Sequence, residues 1–438
     1  MTTSDRAAAA PLGALPALLR DEPGLTRALG DPSARLAVVE VARPISIAAL
    51  ATLSARRPLV VSCPTGTMAG QLADDLAQFL PPGEVAHFPG WETLPFERVS
   101  PSVETMGQRL DVLWRLRDPE RCPAVIVAGV RALLQKLGPG ATDIEPIIVR
   151  PATLGGAAID PDALGRQLVE FGYRREELVE HRGEFARRGA IVDVFPSTAD
   201  APIRIDLWGD EVDRLTRFGV NDQRSTDDLD EVAIFPAREL MPTDDVRERA
   251  AHLVASEPWG REQWERLAEG AHFDGMESWL PWLVDDDRLL TDVLPDTAKV
   301  LLVEPRRMRD RALDLIAEED DLARTLASTW ARDPDKSFPR LHADPDTLLD
   351  TRDPSHAGSF WSIDSTPESP DTPLVEASGW GPVAGDGSGL TDRLTDLLGT
   401  GYRVVVAADG AGSAQRLHDL LLDNGLDFAV SKSGTAET

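Results

Sequence analysis

Residues 182–218 read RGEFARRGAIVDVFPSTADAPIRIDLWGDEVDRLTRF, and their pattern is that of antiparallel strands. In IRIDL the side chains of Ile203, Ile205 and Leu207 fall on one face, while Arg204 and Asp206 fall on the other, because successive strand residues alternate sides. Trp208-Gly209-Asp210-Glu211 predicts a turn into a further strand, VDRLTRF. Upstream, a helix from Pro161 to Phe171 leads to Gly172-Tyr173. Together these elements predict a small α+β unit over residues 151–240.

A different texture flanks it. Leu36–Val41, Leu59–Ser62 and Ala124–Ala128 are short apolar runs, each followed by a helical stretch, which is the layout of a parallel α/β sheet over 31–150. Within that region Ser102 is placed to cap a helix. Glu104 complements its dipole, and Met106, Leu110, Leu113 and Trp114 recur at helical spacing as core. Residues 241–335 return to helix, rich in Trp259, Trp264, Trp279 and Trp282, and reach one more buried strand at Lys299–Val303. Residues 1–30 read as a short mobile lead-in and a helix, and 336–390 as a linker rich in Pro, Ser, Gly and Asp with some strand. In 391–438 a helix at 390–399, a strand at Tyr402–Ala407 and a helix at 412–424 predict a further small α/β domain. It buries little surface, so the chain is expected to stop inside that domain.

Charge narrows the function classes. The 438 residues carry a formal charge of −29, which repels phosphate backbones unless basic groups are gathered locally. The two cysteines, Cys63 and Cys122, lie in no CxxC pattern and predict small buried fillers. No apolar run is long enough to span a membrane and the start lacks a basic leader, so a cytoplasmic location is expected.

Catalytic motifs are missing from the sequence. There is no GxxxxGK[ST] phosphate loop. Asp230-Glu231 follows the polar run TDDL and not an apolar strand. Gly410-Ala411-Gly412 has Gln415 where a dinucleotide loop needs its third glycine. Acidic clusters at Asp227, Asp228 and Asp230, and at Asp285–Asp287, read as solvated loops, and the seven histidines show no ligand spacing. No catalytic residue and no metal site is expected.

Three stretches carry a resemblance: FPGWETLPFERVSPSVETMGQRLDVLWRL (88–116), residues 168–225 with their GEFARRGAIVDVFP, GDE and QRS blocks, and VLPDTAKVLLVEP (293–305). In this order they resemble the amino-terminal module of bacterial transcription-repair coupling factors, itself similar to the excinuclease subunit UvrB. The resemblance implies a multidomain α/β fold. Its parts are a UvrB-like parallel-sheet domain 1A at 31–150 with a degenerate P-loop, an inserted α+β domain 2 at 151–240, and domain 1B at 241–335. On that pattern Ala42, Arg43, Pro44, Ile45 and Ser46 stand where glycine, serine, glycine, lysine and threonine would grip phosphate. Proline removes an amide donor and isoleucine replaces the cation. Glu304-Pro305 stands where an ATPase has its acidic pair for magnesium. No cofactor is therefore expected in this segment; ATP and magnesium belong to the family's translocase domains.

The same resemblance implies that domain 2 binds UvrA. Five arginines, Arg174, Arg175, Arg182, Arg187 and Arg188, fall within fifteen residues of an otherwise acidic chain. Position by position, Arg175, Arg188, Arg204 and Asp206 match the family's UvrA-contacting places. Arg174 follows the Gly172-Tyr173 turn, and Phe185 is a candidate apolar contact. Ala186 departs from the pattern, since UvrB has another arginine there. RNA polymerase and DNA are expected partners of the family's carboxy-terminal part, which in the whole protein would mask domain 2. An ATP-dependent translocase or a damaged-DNA-binding module is the alternative reading, opposed by the missing lysine and the net charge.

Overall fold

In the computed structural model, residues 12–95, 97–284, 288–329, 338–346, 360–377, 387–408 and 410–430 are described, so the acidic run Asp285–Asp287 lies outside them. The chain divides into two units. The first gathers 1–55, 74–85 and 363–438, and the second 56–73 and 86–362.

In the first unit, Glu22 caps helix α1 (Pro23–Leu29) by accepting from the Leu25 amide at 2.7 Å. Strand β1 is only Arg35–Ala37, shorter than the run Leu36–Val41 suggested. Glu40–Ala42 instead turns tightly into helix α2 (Arg43–Leu53), for which Pro44 supplies the fixed φ of a first helical turn. Residues expected to be linker pair with β1: Ala37 donates to the Pro373 carbonyl (2.8 Å) and accepts from Val375 (3.0 Å). Farther on, helices Gly387–Gly399 and Ala411–Asp423 pack through Leu394, Leu421 and Leu426. The strand expected at Tyr402–Ala407 joins no ladder among the described residues, and Tyr402, Val405 and Val406 are exposed.

The second unit is built on parallel strands β2 (Leu59–Cys63) and β4 (Val125–Gly129), with β3 (Val85–Phe88) beside β4. Strand β13 (Lys299–Val303) runs parallel to β2 on its other side. Beside β13 stands the strand Phe360–Asp364, within the stretch expected to be linker. Helix α3 (Gly66–Leu76) follows β2. Helix α4 (Val103–Leu116) starts where the sequence placed it, the Ser102 hydroxyl accepting from the Thr105 amide at 3.0 Å. Met106, Leu110 and Leu113 are buried, and so are both cysteines. Helix α5 (Val130–Leu134) continues the layer.

The insert leaves through β5 (Ile147–Val149) and returns through β12 (Val232–Ile234), which pair antiparallel, so its two ends are clasped. Between them helix α6 (Pro161–Glu170), capped by Asp160, covers one face of a six-stranded sheet. The strands are β6 (Arg174–Arg175), β7 (Glu184–Arg188), β8 (Ile191–Val194), β9 (Ile203–Trp208), β10 (Glu211–Phe218) and β11 (Ser225–Asp228), adjacent in chain order. Phe185, Val192, Val194, Ile203, Ile205, Leu207 and Leu215 form its core with Leu164 and Leu168. The β9–β10 turn has Gly209 at φ 67°, the left-handed conformation that a two-residue hairpin requires.

A close approach and a buried hydrogen bond seat the insert on the rest of this unit. A Cβ at Gly107 of α4 would lie 2.5 Å from Ser197 Cβ, so only glycine admits the insert there. Burial pushes the Tyr173 phenol well above its ordinary pKa; still protonated, it donates to the Phe235 carbonyl at 2.7 Å. Past the insert, the fully buried Glu239 accepts from Arg109 Nε (2.7 Å) and Nη2 (3.1 Å) and from Trp91 Nε1 (2.7 Å). Helices α7 (Asp244–Ser256), α8 (Arg261–Ala268) and α9 (Leu280–Leu283) then enclose an aromatic cluster of Trp259, Trp264, Trp279, Trp282 and Phe338. Helix α10 (Pro305–Thr329) supplies Glu319, which binds the Leu341 amide and His342 Nδ1 (2.5 and 2.9 Å).

Candidate functional site: the outward face of the inserted sheet

Strand alternation assigns the face away from α6. In register, Ala186 lies beside Asp193, Asp193 beside Arg204, and Arg204 beside Thr216. The next row is Arg188, Ile191, Asp206 and Arg214. Trp208 follows on the same face of β9, two residues beyond Asp206, and is 82% exposed.

Most of the arginine cluster is committed inside the domain. Arg204 grips Asp193 with both arms, Nε–Oδ1 2.7 Å and Nη2–Oδ2 2.9 Å. It also donates to the Gln223 carbonyl (3.1 Å) and lies 4.8 Å from the Phe218 ring centroid. Hydrogen bonding to Asp193 raises the guanidinium pKa further, so this arginine is a cross-strand brace as well as a surface group. Arg182 holds Glu104 of α4 (3.1 Å) and Asp200 (3.3 Å), and Arg187 pairs with Asp162 of α6. Arg174 lies 3.6 Å from Glu184. Burial raises the Glu184 carboxyl, but amides of Glu180 and His181, with His181 and Arg174 beside it, hold it below its ordinary value.

Three predicted residues are differently disposed. Arg188 gives Nη2 to the Glu177 carbonyl (2.6 Å) and forms no ion pair among the described residues. Arg175 is exposed on the edge strand β6, likewise without an ion pair. Asp206 is half-buried and makes no side-chain hydrogen bond among the described residues. Burial raises its carboxyl above the usual range and neighbouring Asp193 adds to this, against the lowering by Arg204 and Arg214. Arg214 itself is spent on Asp228 at 2.7 Å.

Phe185 corrects the sequence reading. It is 2% exposed, because the parity of β7 turns Phe185 into the core beneath α6; on the opposite face Glu184 and Ala186 are buried too, Ala186 with Val179, Phe195 and Phe218, and Arg188 alone is exposed. It packs under the surface and offers no contact. Trp208 was read only as part of a turn. Its signal was present in the alternation of IRIDLW, which puts an indole on the Arg204 and Asp206 face.

The residues aligned with a nucleotide site fall in two places. Arg43 is buried and donates to Ser365 Oγ at 2.7 Å, Ser46 is buried, and Ala42, Pro44 and Ile45 form the first turn of α2 with no side-chain cap. In the second unit Glu304 has φ 53° and pairs with Arg307, three residues along, as Pro305 opens α10. Among the described residues no group of three His, Cys, Asp or Glu side chains is placed to hold a metal ion, and no helix is long and apolar enough to cross a membrane.

A family model, the UvrB interaction domain, matches residues 154–240, the region that contains this sheet. Residues 154–240 are a UvrB interaction domain. Curated relatives extend the likeness. The transcription-repair-coupling factor of Mycobacterium tuberculosis is 39% identical over 323 residues, covering 70% of this chain and 25% of that protein. The Bacillus subtilis factor is 30% identical over 304 residues, 65% of this chain and 25% of the relative. The Escherichia coli factor is 31% identical over 234 residues, 51% and 19% respectively. The chain thus spans about a quarter of the length of these two curated relatives. The UvrB interaction domain is the part in which brace and free arginines can be told apart.

Proposed function

We propose that this chain is a docking segment that recruits UvrA to RNA polymerase stalled at damaged DNA, through the outward face of its UvrB interaction domain and without turning over ATP itself. The observation that carries this reading is a set of uncommitted charges on a domain of this family. Among the described residues Arg188 and Arg175 have no carboxylate partner and Asp206 has no hydrogen-bond donor, while the neighbouring Arg182, Arg187 and Arg204 are paired within the chain. A charged group left without a partner in the free protein gains most when an interface supplies one. Arginine suits the role, because its planar fork engages carboxylates with two bonds. The absent phosphate grip at Pro44 and Ile45 supports a role without a nucleotide cofactor in this segment.

The test is calorimetric titration of the chain with purified UvrA, beside circular-dichroism melts. Arg188→Ala and Asp206→Ala are each expected to weaken binding by about 10-fold or more, with unchanged melting for Arg188→Ala. Affinity unmoved by both substitutions excludes this face.

A further inference from the structure

Trp208 is the residue on this face that the fold itself leaves unexplained. Its indole is 82% exposed, in a sheet whose other aromatic side chains are covered: Phe185 (2%), Phe218 (1%) and Tyr173 (3%). Isolated exposed apolar residues are ordinary on a protein surface. What distinguishes this one is its rigid mounting and its neighbours. Leu207 donates to the Ala190 carbonyl at 2.9 Å on one side. On the other, the turn residue Asp210 accepts from Ile159 at 2.6 Å. The indole therefore stands on a backbone pinned at both flanks, in a hairpin closed by Gly209. Its in-register neighbour is Glu211 on β10, and the next row along the same face holds Asp206, the partly buried Ile191 and, two strands away, Arg188.

We infer that Trp208 is the apolar anchor of the docking face. Its indole enters an apolar slot on the partner whose rim presents a carboxylate to Arg188 and a cationic donor to Asp206. This rests on the function proposed above and adds to it the residue that supplies most of the apolar contact. The chemistry is that of an interface centre, where a tryptophan with few torsions to freeze is desolvated inside a ring of charged contacts. The shape of the face, and not its charge, selects a heterologous partner over a second copy, since Arg188 and Asp206 are self-complementary about a two-fold axis. In a homodimer through the same patch Trp208 would meet its own equivalent, with no apolar slot on this face to receive it.

The experiment titrates the whole chain, as wild type, Trp208→Ala and Trp208→Phe, into purified UvrA by calorimetry, with a thermal melt of each and sedimentation of the chain alone. The expected result is a loss of about 30-fold or more in affinity for Trp208→Ala. Trp208→Phe should stay closer to wild type, melting should be unchanged because the indole is exposed, and the chain should sediment as a monomer. Wild-type affinity in Trp208→Ala overturns the anchor while leaving the docking function standing. A fall in melting temperature that accounts for the lost binding overturns it as well, because the indole then serves the fold. Self-association abolished by Trp208→Ala overturns it in favour of a second copy. A wild-type chain that does not bind UvrA removes the docking function and the anchor together.

Discussion

Glu239→Ala is expected to be among the most damaging single substitutions available in the second unit. The carboxylate is fully buried and accepts three hydrogen bonds, two from Arg109 and one from Trp91. Its removal strands a guanidinium that is itself fully buried and keeps only the Pro89 carbonyl, at 2.9 Å, and the face of Phe88. Breaking a buried ion pair from one side costs about 3–5 kcal/mol, because the surviving charge has neither water nor partner. At about 2–4 °C per kcal/mol for a large domain, the melting temperature should fall by roughly 6–20 °C. Urea unfolding followed by circular dichroism measures the loss directly. The paired replacement Arg109→Met with Glu239→Leu should recover much of it, since it removes both charges and keeps the volume. A loss below about 1 kcal/mol in Glu239→Ala, the size of an exposed pair, would refute the reasoning.

Other substitutions separate structure from docking. Arg204→Ala leaves the buried Asp193 without its two-armed partner, so it should destabilise the insert by about 1.5–3 kcal/mol in a urea titration, whereas Arg188→Ala should change stability by less than about 0.5 kcal/mol. Gly107→Ala should cost about 1–3 kcal/mol in the same assay despite its better helix propensity, because the new methyl collides with Ser197. Asp206 has a folded-state pKa above its ordinary value, so its ionised form opposes folding. Asp206→Asn should melt slightly higher than wild type near neutral pH, and the difference should vanish once the pH falls below the ordinary aspartate pKa near 3.8. A gain that persisted in acid would show that the carboxyl is not the cause. Titration with a fluorescent ATP analogue should show no saturable binding to the chain, and saturable binding abolished by substitutions at Arg43 and Ser46 would contradict the reading of α2.

Much of the insert was legible in the sequence because its information is local. The alternation in IRIDL and the Trp208–Glu211 turn fix strand faces within a few residues, and the Ser102 cap needs only three. The failures are non-local or concern parity. In EFARR two adjacent arginines hide which side of β7 is buried, so Phe185 could be assigned only once β8 was in register. Arg182 looks no different from Arg188 in the sequence, yet its carboxylate partner Glu104 lies 78 residues away (182 − 104). The strand expected within the Pro- and Gly-rich stretch after 336 stands at Phe360–Asp364, whereas among the described residues the apolar run at Tyr402–Ala407 pairs with no strand.

The clasp between Ile147–Val149 and Val232–Ile234 makes the intervening module a cassette. Cut on either side of that two-stranded ribbon, the piece carries its own fastening, with Val149 opposite Val232 and Ile147 opposite Ile234. Transplanting it into a foreign host would require no new closure, but it would need a recipient helix as bare as Gly107 where Ser197 comes to rest and partners for Tyr173 and Arg182 in place of the Phe235 carbonyl and Glu104.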